Sequence, residues 1–182
     1  MCGVVGVLDS KATRDPDEFL QLVRDMSKPL RWRGPDGEGA WVDDHGRVAF
    51  GHRRLRVLDL SEAASQPMVS PSGRYVLTFN GEIYNFIELR EKLHRRGLPL
   101  HSTGDTAVLC AAFDRWGVRG AIERIEGMFA FGVWDREERR LTLVRDRMGE
   151  KPLFYGLAGT EVVFASGLDS FRAHPRFNAT ID

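Results

Sequence analysis

Residues 1–10 of the chain read MCGVVGVLDS, and this stretch decides the fold. It places Cys2 at the second position, directly before the short apolar run VVGVL. A short apolar run with several β-branched residues is typical of a buried strand, so we predict that the chain enters a sheet almost at its first residue. Such a strand would hold Cys2 in place at a terminus that is poorly ordered in most domains.

The size and charge of the chain limit the kind of protein it can be. Its 182 residues, 42% of them hydrophobic and 29% charged, suffice for one core and predict one domain. The 26 basic and 26 acidic residues cancel, so no overall field favours nucleic acid or a membrane surface. Neither a membrane-spanning stretch nor the pattern of a secretory signal is recognised. We therefore expect a cytoplasmic protein that binds neither nucleic acid nor membrane.

The apolar periodicity predicts the order of the other elements. Helical spacing appears in PDEFLQLVRDM, NFIELREKLHRRG and DTAVLCAAFDRWG, with Gly97 and Gly117 as helix ends and Asp105 as an N-cap. The segment KPLRWRGPDGEG reads as a long loop. Strand-like runs are GAWV, RVAFGHRRL, RYVLTF, MFAFGVWD, RLTLVRD, PLFYG and EVVFAS. Strands at both ends with two helices between them favour an α+β fold with antiparallel sheets over a parallel βαβ fold.

Cys2 is suited to act as a nucleophile once Met1 has been removed. Its thiol and a free α-amine would then belong to the same residue, on adjacent carbon atoms, and an α-amine has an ordinary pKa of roughly 7.7–8.0, so part of it is neutral near pH 7. That amine can accept the thiol proton, and no histidine is needed. The alternative for Cys2 is a small buried hydrophobe at the start of a strand. We assign that simpler role to Cys110, which lies in the apolar run VLCAAF.

Other polar residues would complete an acyl-transfer site. Asn80 and Gly81, directly after the strand RYVLTF, offer an amide and a backbone N–H for a tetrahedral oxyanion. Arg54 is suited to the carboxylate of an amino-acid substrate and Asp105 to its ammonium group. Taken singly, RGPDGEG and FNGEIYN are also compatible with plain turns.

Eight segments follow one another along the chain: MCGVVGVLD, RGPDGEG, GHRRLRVLDLS, QPM, FNGEIYNFIELR, HSTGDT, EGMFAFGVWD and RDRMGEKPLFY. Together they resemble the class II glutamine amidotransferase domain of glutamine-dependent asparagine synthetases. The resemblance extends from Met1 to about Asp182. It implies an N-terminal nucleophile hydrolase fold, which is a four-layer αββα sandwich of two antiparallel sheets between helices.

The resemblance also implies a role for each site residue. Cys2 would attack the amide of L-glutamine and form a glutamyl thioester, while Asn80 and Gly81 would form the oxyanion hole. Arg54 would hold the glutamine carboxylate, and residues 33–37 would form a loop near the mouth of the pocket. The residues that would bind glutamine are Arg54, Leu55, Arg56, Val57, Leu58, Glu82 and Asp105. The chain departs from the family pattern at Trp32, where histidine is usual, and at Ala107, where an acid is common; we interpret both as changes in packing or loop closure.

The resemblance further implies a partner domain. We predict an amidotransferase domain over residues 1–168, followed by a tail or the start of a linker over residues 169–182. The linker would lead to a synthetase domain that uses ATP and Mg²⁺, whereas this domain would hold no metal and no cofactor of its own. The acceptor of the ammonia would be aspartate. An amidotransferase for a peptide, sugar or amino-sugar product, a non-catalytic binding module and a homodimer all stay open at this point.

Overall fold

The computed structural model describes residues 1–95, 100 and 102–178. In this part the helices are α1 (Pro16–Ser27), α2 (Phe86–His94) and α3 (Asp105–Ile122), with short 3₁₀ segments at Lys28–Leu30, Glu62–Ala64 and Leu168–Ala173. The strands are β1 (Gly3–Leu8), β2 (Gly37–Val42), β3 (Val48–Arg54), β4 (Met68–Val69), β5 (Tyr75–Ile83), β6 (Gly127–Asp135), β7 (Arg140–Arg145), β8 (Phe154–Ala158) and β9 (Glu161–Ala165). None of the described helices is long and apolar enough to cross a membrane.

The strands form two antiparallel sheets, as predicted. The first sheet has the order β2-β3-β1-β9-β8 and the second the order β4-β5-β6-β7. β1 is the central strand of the first sheet: Gly3 pairs with Arg53 on one side, and Val5 pairs with Ala165 on the other. The first residues of the chain are therefore held by hydrogen bonds on both sides, which places Cys2 at a defined position.

Helix α1 covers the outer face of the first sheet. Its residues Phe19, Val23 and Met26 are buried and pack against Val5 and Val7 of β1. Successive strand residues point to opposite faces, so Val4 instead enters the cluster between the two sheets together with Phe50, Phe164, Val76 and Trp134.

Helices α2 and α3 cover the outer face of the second sheet. Val108 and Phe113 of α3 are buried in one cluster with Phe79 and Phe131 of the sheet. Cys110 belongs to the same cluster, and burial raises the pKa of its thiol, so its interpretation as a core residue is confirmed. The four predicted layers are thus α1, the first sheet, the second sheet and the pair of helices α2 and α3.

The helix ends agree with the prediction in part. α1 begins after Asp15, whose carboxylate accepts hydrogen bonds from the backbone N–H groups of the first turn. The prediction that Asp105 caps α3 is wrong, because Gly104 is the N-cap and Asp105 is the first helical residue. Gly117 has a φ of 68° and interrupts α3, as a C-terminal glycine does, but the helix resumes and continues to Ile122. Gly97 lies outside the described residues.

Two boundaries differ from the sequence-based expectation because strand pairing extends further than the apolar runs. Asn80 and Gly81 lie inside β5, not after it, since they pair with Ala130 and Phe129 of β6. A Cβ atom on Gly81 would lie 2.4 Å from the carbonyl oxygen of Met128, so glycine is required by the close approach of the two strands. In the same way, the end of the predicted loop KPLRWRGPDGEG pairs with β3 and begins β2.

The described part of the predicted tail packs against the sandwich. Phe171 is buried in the cluster beneath α1, and Phe177 packs against it. His174 contacts the buried carboxylate of Glu161. The division of the chain at residue 168 stays a prediction, but residues 169–178 share the core of the domain that precedes them.

Candidate active site

A cavity of about 320 Å³ lies beside the start of β1. It is bounded by the first two residues, the loop after β3, the middle of β5, the start of α3, Met128 and Lys151. The predicted site residues that line it are Cys2, Arg54, Leu55, Val57, Leu58, Asn80, Gly81, Glu82 and Asp105. Predicted residues from four separate parts of the sequence therefore meet in one place.

The thiol of Cys2 is held at the cavity wall by the loop after β3. The backbone N–H of Leu55 donates to Cys2 Sγ at 3.3 Å, and Sγ lies 3.7 Å from the Leu55 carbonyl oxygen. Burial raises the pKa of the Cys2 thiol, although the Leu55 N–H, the chain terminus and Arg54 act in the opposite direction. A thiol with a raised pKa is protonated at neutral pH, so it needs a base before it can attack.

Asn80 presents a free hydrogen-bond donor at the same cavity. Its side chain is only 2% exposed, and its Nδ2 has no hydrogen-bond partner among the described residues. Most buried polar groups are paired, and each unpaired one costs free energy. An oxygen atom of a molecule in the cavity can serve as the missing acceptor.

Arg54 is a buried cation, 6% exposed, at the end of β3. Its Nη1 donates to the carbonyl oxygen of Ser61 at 2.9 Å, and its Nη2 donates to that of Asp59. These bonds fold the loop after β3 around the guanidinium. Because a guanidinium has five N–H donors, others remain for a carboxylate in the cavity.

Asp59 is a cavity residue that sequence reasoning missed. Its carboxylate accepts hydrogen bonds from Ser61, from Ser102 Oγ at 2.7 Å and from the Thr103 N–H at 2.9 Å. These bonds, led by that from the Ser61 hydroxyl, hold the pKa of Asp59 well below its usual range. Asp59 thereby joins the loop after β3 to the segment that precedes α3. The sequence DLS contains a local signal, since Asp often accepts the N–H two residues on, but the long-range bonds have no local signature.

Two acidic residues other than Asp59 line the cavity. Oδ2 of Asp105 accepts a hydrogen bond from the backbone N–H of Ile83 at 3.0 Å, which ties the start of α3 to β5. Glu82, the neighbour of Ile83 in β5, also lines the cavity. Burial raises the pKa of Asp105, while the N–H groups of Ile83 and Thr106 oppose that shift. Paired acids of this kind suit an ammonium group.

Some predicted residues do not line the cavity. Arg56 pairs with Glu62, and its N–H donates to Asp36 at 2.9 Å. Asp36, in the predicted mouth loop, donates its N–H to the carbonyl oxygen of Arg54 at 3.0 Å. The loop therefore contacts the site through the backbone of Arg54. Trp32 is 82% exposed, whereas Ala107 is buried in α3.

Lys151 lines the cavity without having been predicted. Its position in the segment between β7 and β8 is 149 residues after Cys2 in the sequence, so no local pattern connects the two. Among residues 1–95, 100 and 102–178, no group of three His, Cys, Asp or Glu side chains is arranged to hold a metal ion.

Comparison with known proteins places these features in a family. The family model described as a glutamine amidotransferase domain matches residues 1–182. Asparagine synthetase (glutamine-hydrolyzing) 3 of Bacillus subtilis (strain 168) is 37% identical over 184 residues, which cover 100% of this chain and 29% of that protein. Asparagine synthetase (glutamine-hydrolyzing) 1 of the same organism is 39% identical over 166 residues, covering 91% of this chain and 26% of that protein.

The fold recurs in a solved structure of a more distant protein. Glutamine phosphoribosylpyrophosphate amidotransferase from B. subtilis, complexed with ADP and GMP, superposes with a TM-score of 0.80 at 22% identity. The match covers 94% of this chain and 43% of that chain. The present chain thus spans less than half of each of these proteins, and it belongs to the glutamine amidotransferase domain family.

Proposed function

We propose that this chain hydrolyses L-glutamine to glutamate and ammonia through a thioester on Cys2. The observation that carries the proposal is that Asn80, whose buried Nδ2 has no hydrogen-bond partner among the described residues, lines the same cavity as Cys2. A nucleophile and a free oxyanion donor at one cavity are what acyl transfer requires.

Each step of the reaction has a group to perform it. After Met1 is removed, the α-amine of Cys2 takes the thiol proton, and the sulfur attacks the amide carbon of glutamine. Asn80 Nδ2 and the N–H of Gly81 hold the negative oxygen of the tetrahedral intermediate. Collapse of the intermediate expels ammonia, which carries away the proton held by the amine. Water, deprotonated by the same amine, then cleaves the thioester, and the products are glutamate and the free thiol.

The shape and charge of the cavity support glutamine as the substrate. The guanidinium of Arg54 and the main chain of the lining residues Leu55, Val57 and Leu58 bind its α-carboxylate. Glu82 and Asp105, which also line the cavity, bind its α-ammonium group. Opposite charges in one cavity select a free amino acid over a peptide-linked side chain, because both charged groups of the substrate must be present to pair with them.

The decisive experiment compares the two cysteines. Ammonia release from glutamine is measured for the chain and for Cys2→Ala, Cys2→Ser and Cys110→Ala, with the intact mass of each establishing that Met1 is absent. We expect Cys2→Ala to lose all measurable activity and Cys2→Ser to lose at least about 100-fold. Cys110→Ala is the matched control and keeps its activity, since Cys110 lies in the core. Activity in Cys2→Ala would refute the mechanism, and an inactive parent chain would favour the non-catalytic binding module.

We further propose that the ammonia passes to aspartate in a synthetase domain that uses ATP and Mg²⁺. The relatives named as asparagine synthetases support this acceptor, and so does the large share of their length that lies outside the present match. A second candidate is a different acceptor, such as a peptide, sugar or amino-sugar product, because the same fold serves in a phosphoribosylpyrophosphate amidotransferase. A cytoplasmic location and a homodimer stay predictions.

The acceptor is tested with the full-length protein from the same gene. Amide-¹⁵N glutamine, ATP and Mg²⁺ are supplied with aspartate, and asparagine is analysed for the label. Labelled asparagine supports the asparagine-synthetase assignment. Glutamine hydrolysis without labelled asparagine would favour another acceptor.

A further inference from the structure

A buried lysine contacts Met1 at the start of the chain, and among the residues that the structure describes it has no acidic partner. Lys151 is 7% exposed, and its Nζ contacts the sulfur of Met1 at 3.5 Å. The ion pairs among the described residues include none to Lys151. Because a buried ammonium group is costly unless it is paired, its presence at this cavity calls for an explanation other than packing.

The backbone holds Lys151 firmly in this position. Its N–H donates to Asp146 Oδ2 at 3.0 Å, and its carbonyl oxygen accepts from Arg145 Nε at 2.7 Å. Asp146 in turn accepts from the N–H of Phe129 in β6. The lysine is therefore fixed to the second sheet, while Cys2 belongs to the end of the first.

Removal of Met1 changes what Lys151 faces. The thioether that it contacts is lost, and the nitrogen of Cys2, previously a peptide nitrogen, becomes an amine at the same place. Met1 is bonded to Cys2, so a group in contact with the Met1 side chain lies on the order of 5–9 Å from that nitrogen. Two ammonium groups at such a distance repel one another.

We propose that Lys151 is a positioning residue whose ammonium group keeps the α-amine of Cys2 in its neutral, proton-accepting form. This inference rests on the proposed function of Cys2. The other ionisable groups at the cavity are Arg54, Asp59, Glu82 and Asp105. Arg54 is held by hydrogen bonds within the loop after β3, and Asp59 by bonds from that loop and from Ser102 and Thr103. The two remaining acids are those assigned to the ammonium group of glutamine.

The test is the pH dependence of kcat/KM for glutamine hydrolysis in Lys151→Met and Lys151→Arg. The acidic limb of this profile follows deprotonation of the free enzyme's base. With Lys151→Met we expect the limb to move to higher pH by about one unit, which gives a loss of about five-fold at pH 7 that recovers near pH 9. Lys151→Arg keeps the charge and is expected to keep the limb in place. Lys92→Met, on the exposed face of α2, is the matched control and leaves the profile unchanged.

A second measurement separates this inference from the proposed function. The pH dependence of acetic anhydride labelling at the α-amine of residue 2 is followed by mass spectrometry in the Cys2→Ala background, where no catalysis is needed. The same shift of about one pH unit in the labelling profile is expected when Lys151→Met is added. An unshifted labelling profile in a folded variant would overturn the role of Lys151. A shifted labelling profile, combined with no ammonia release by the parent chain that keeps Cys2, would retain the effect of Lys151 on the amine and refute the glutaminase.

Discussion

Glu161→Gln is expected to loosen both ends of the domain together. The Glu161 side chain is completely buried, and its two oxygens accept from Arg14 Nε and from Arg14 Nη2 at 2.9 Å. Oε2 also lies 3.0 Å from His174 Nε2 and 3.5 Å from Arg176 Nη1. One carboxylate of β9 thus binds the segment before α1 and the segment after the last 3₁₀ turn.

The size of the effect follows from burial. Glutamine has nearly the same shape but no charge, and its NH₂ group would face N–H donors that now meet an oxygen. Removing one partner of a buried ion pair costs about 3–5 kcal/mol. The Arg14 side chain is 13% exposed, so water can solvate part of the charge that loses its partner. We therefore expect the free energy of unfolding to fall by about 3 kcal/mol. This loss is equivalent to a decrease in Tm of roughly 6–12 °C for a chain of this size.

Urea unfolding and amide hydrogen exchange check this prediction. The free energy of unfolding should fall by about 3 kcal/mol, and exchange should rise first in residues 168–178. Glu123→Gln is the matched control, since Glu123 forms an exposed pair with Arg119 and exposed pairs contribute about 0–1 kcal/mol. The reasoning is refuted if the two variants unfold with the same free energy.

Two further predictions concern the site loop and a buried histidine. Asp59→Ala should raise KM for glutamine about ten-fold with a smaller change in kcat, because the loop after β3 loses its bonds to Ser102 and Thr103; an unchanged KM in steady-state kinetics would contradict this. Burial lowers the pKa of His52 to about 4, so the unfolded state binds more protons between pH 6.5 and 4 and stability should fall by roughly 2–3 kcal/mol as the pH drops through that range. His52→Gln should remove this part of the pH dependence in urea titrations, and an identical dependence in both proteins would show that His52 does not cause it.

The antiparallel α+β layering was predictable from local pattern, whereas the four layers were implied by the family resemblance. VVGVL indicated a buried strand because it is an uninterrupted apolar run rich in β-branched residues. Such a run fits a strand that is covered on both faces. The spacing in PDEFLQLVRDM indicated α1 because one face of that helix is apolar. The role proposed for Cys2 follows from chemistry, since a thiol and an α-amine in one terminal residue need no further residue to form a nucleophile and its base.

The arrangement around Cys2 was decided only by the tertiary structure. Asn80 was expected after its strand, yet pairing with β6 carries the strand through it, and Asp105, expected as a helix cap, instead binds the N–H of Ile83. Lys151 reaches the cavity although it is separated from Cys2 by nearly the whole chain. Local periodicity indicates which residues are buried, because burial depends on which face of a single helix or strand a residue occupies. The partners of a buried polar group depend on how distant strands pair, and that information arises only when the sheets assemble.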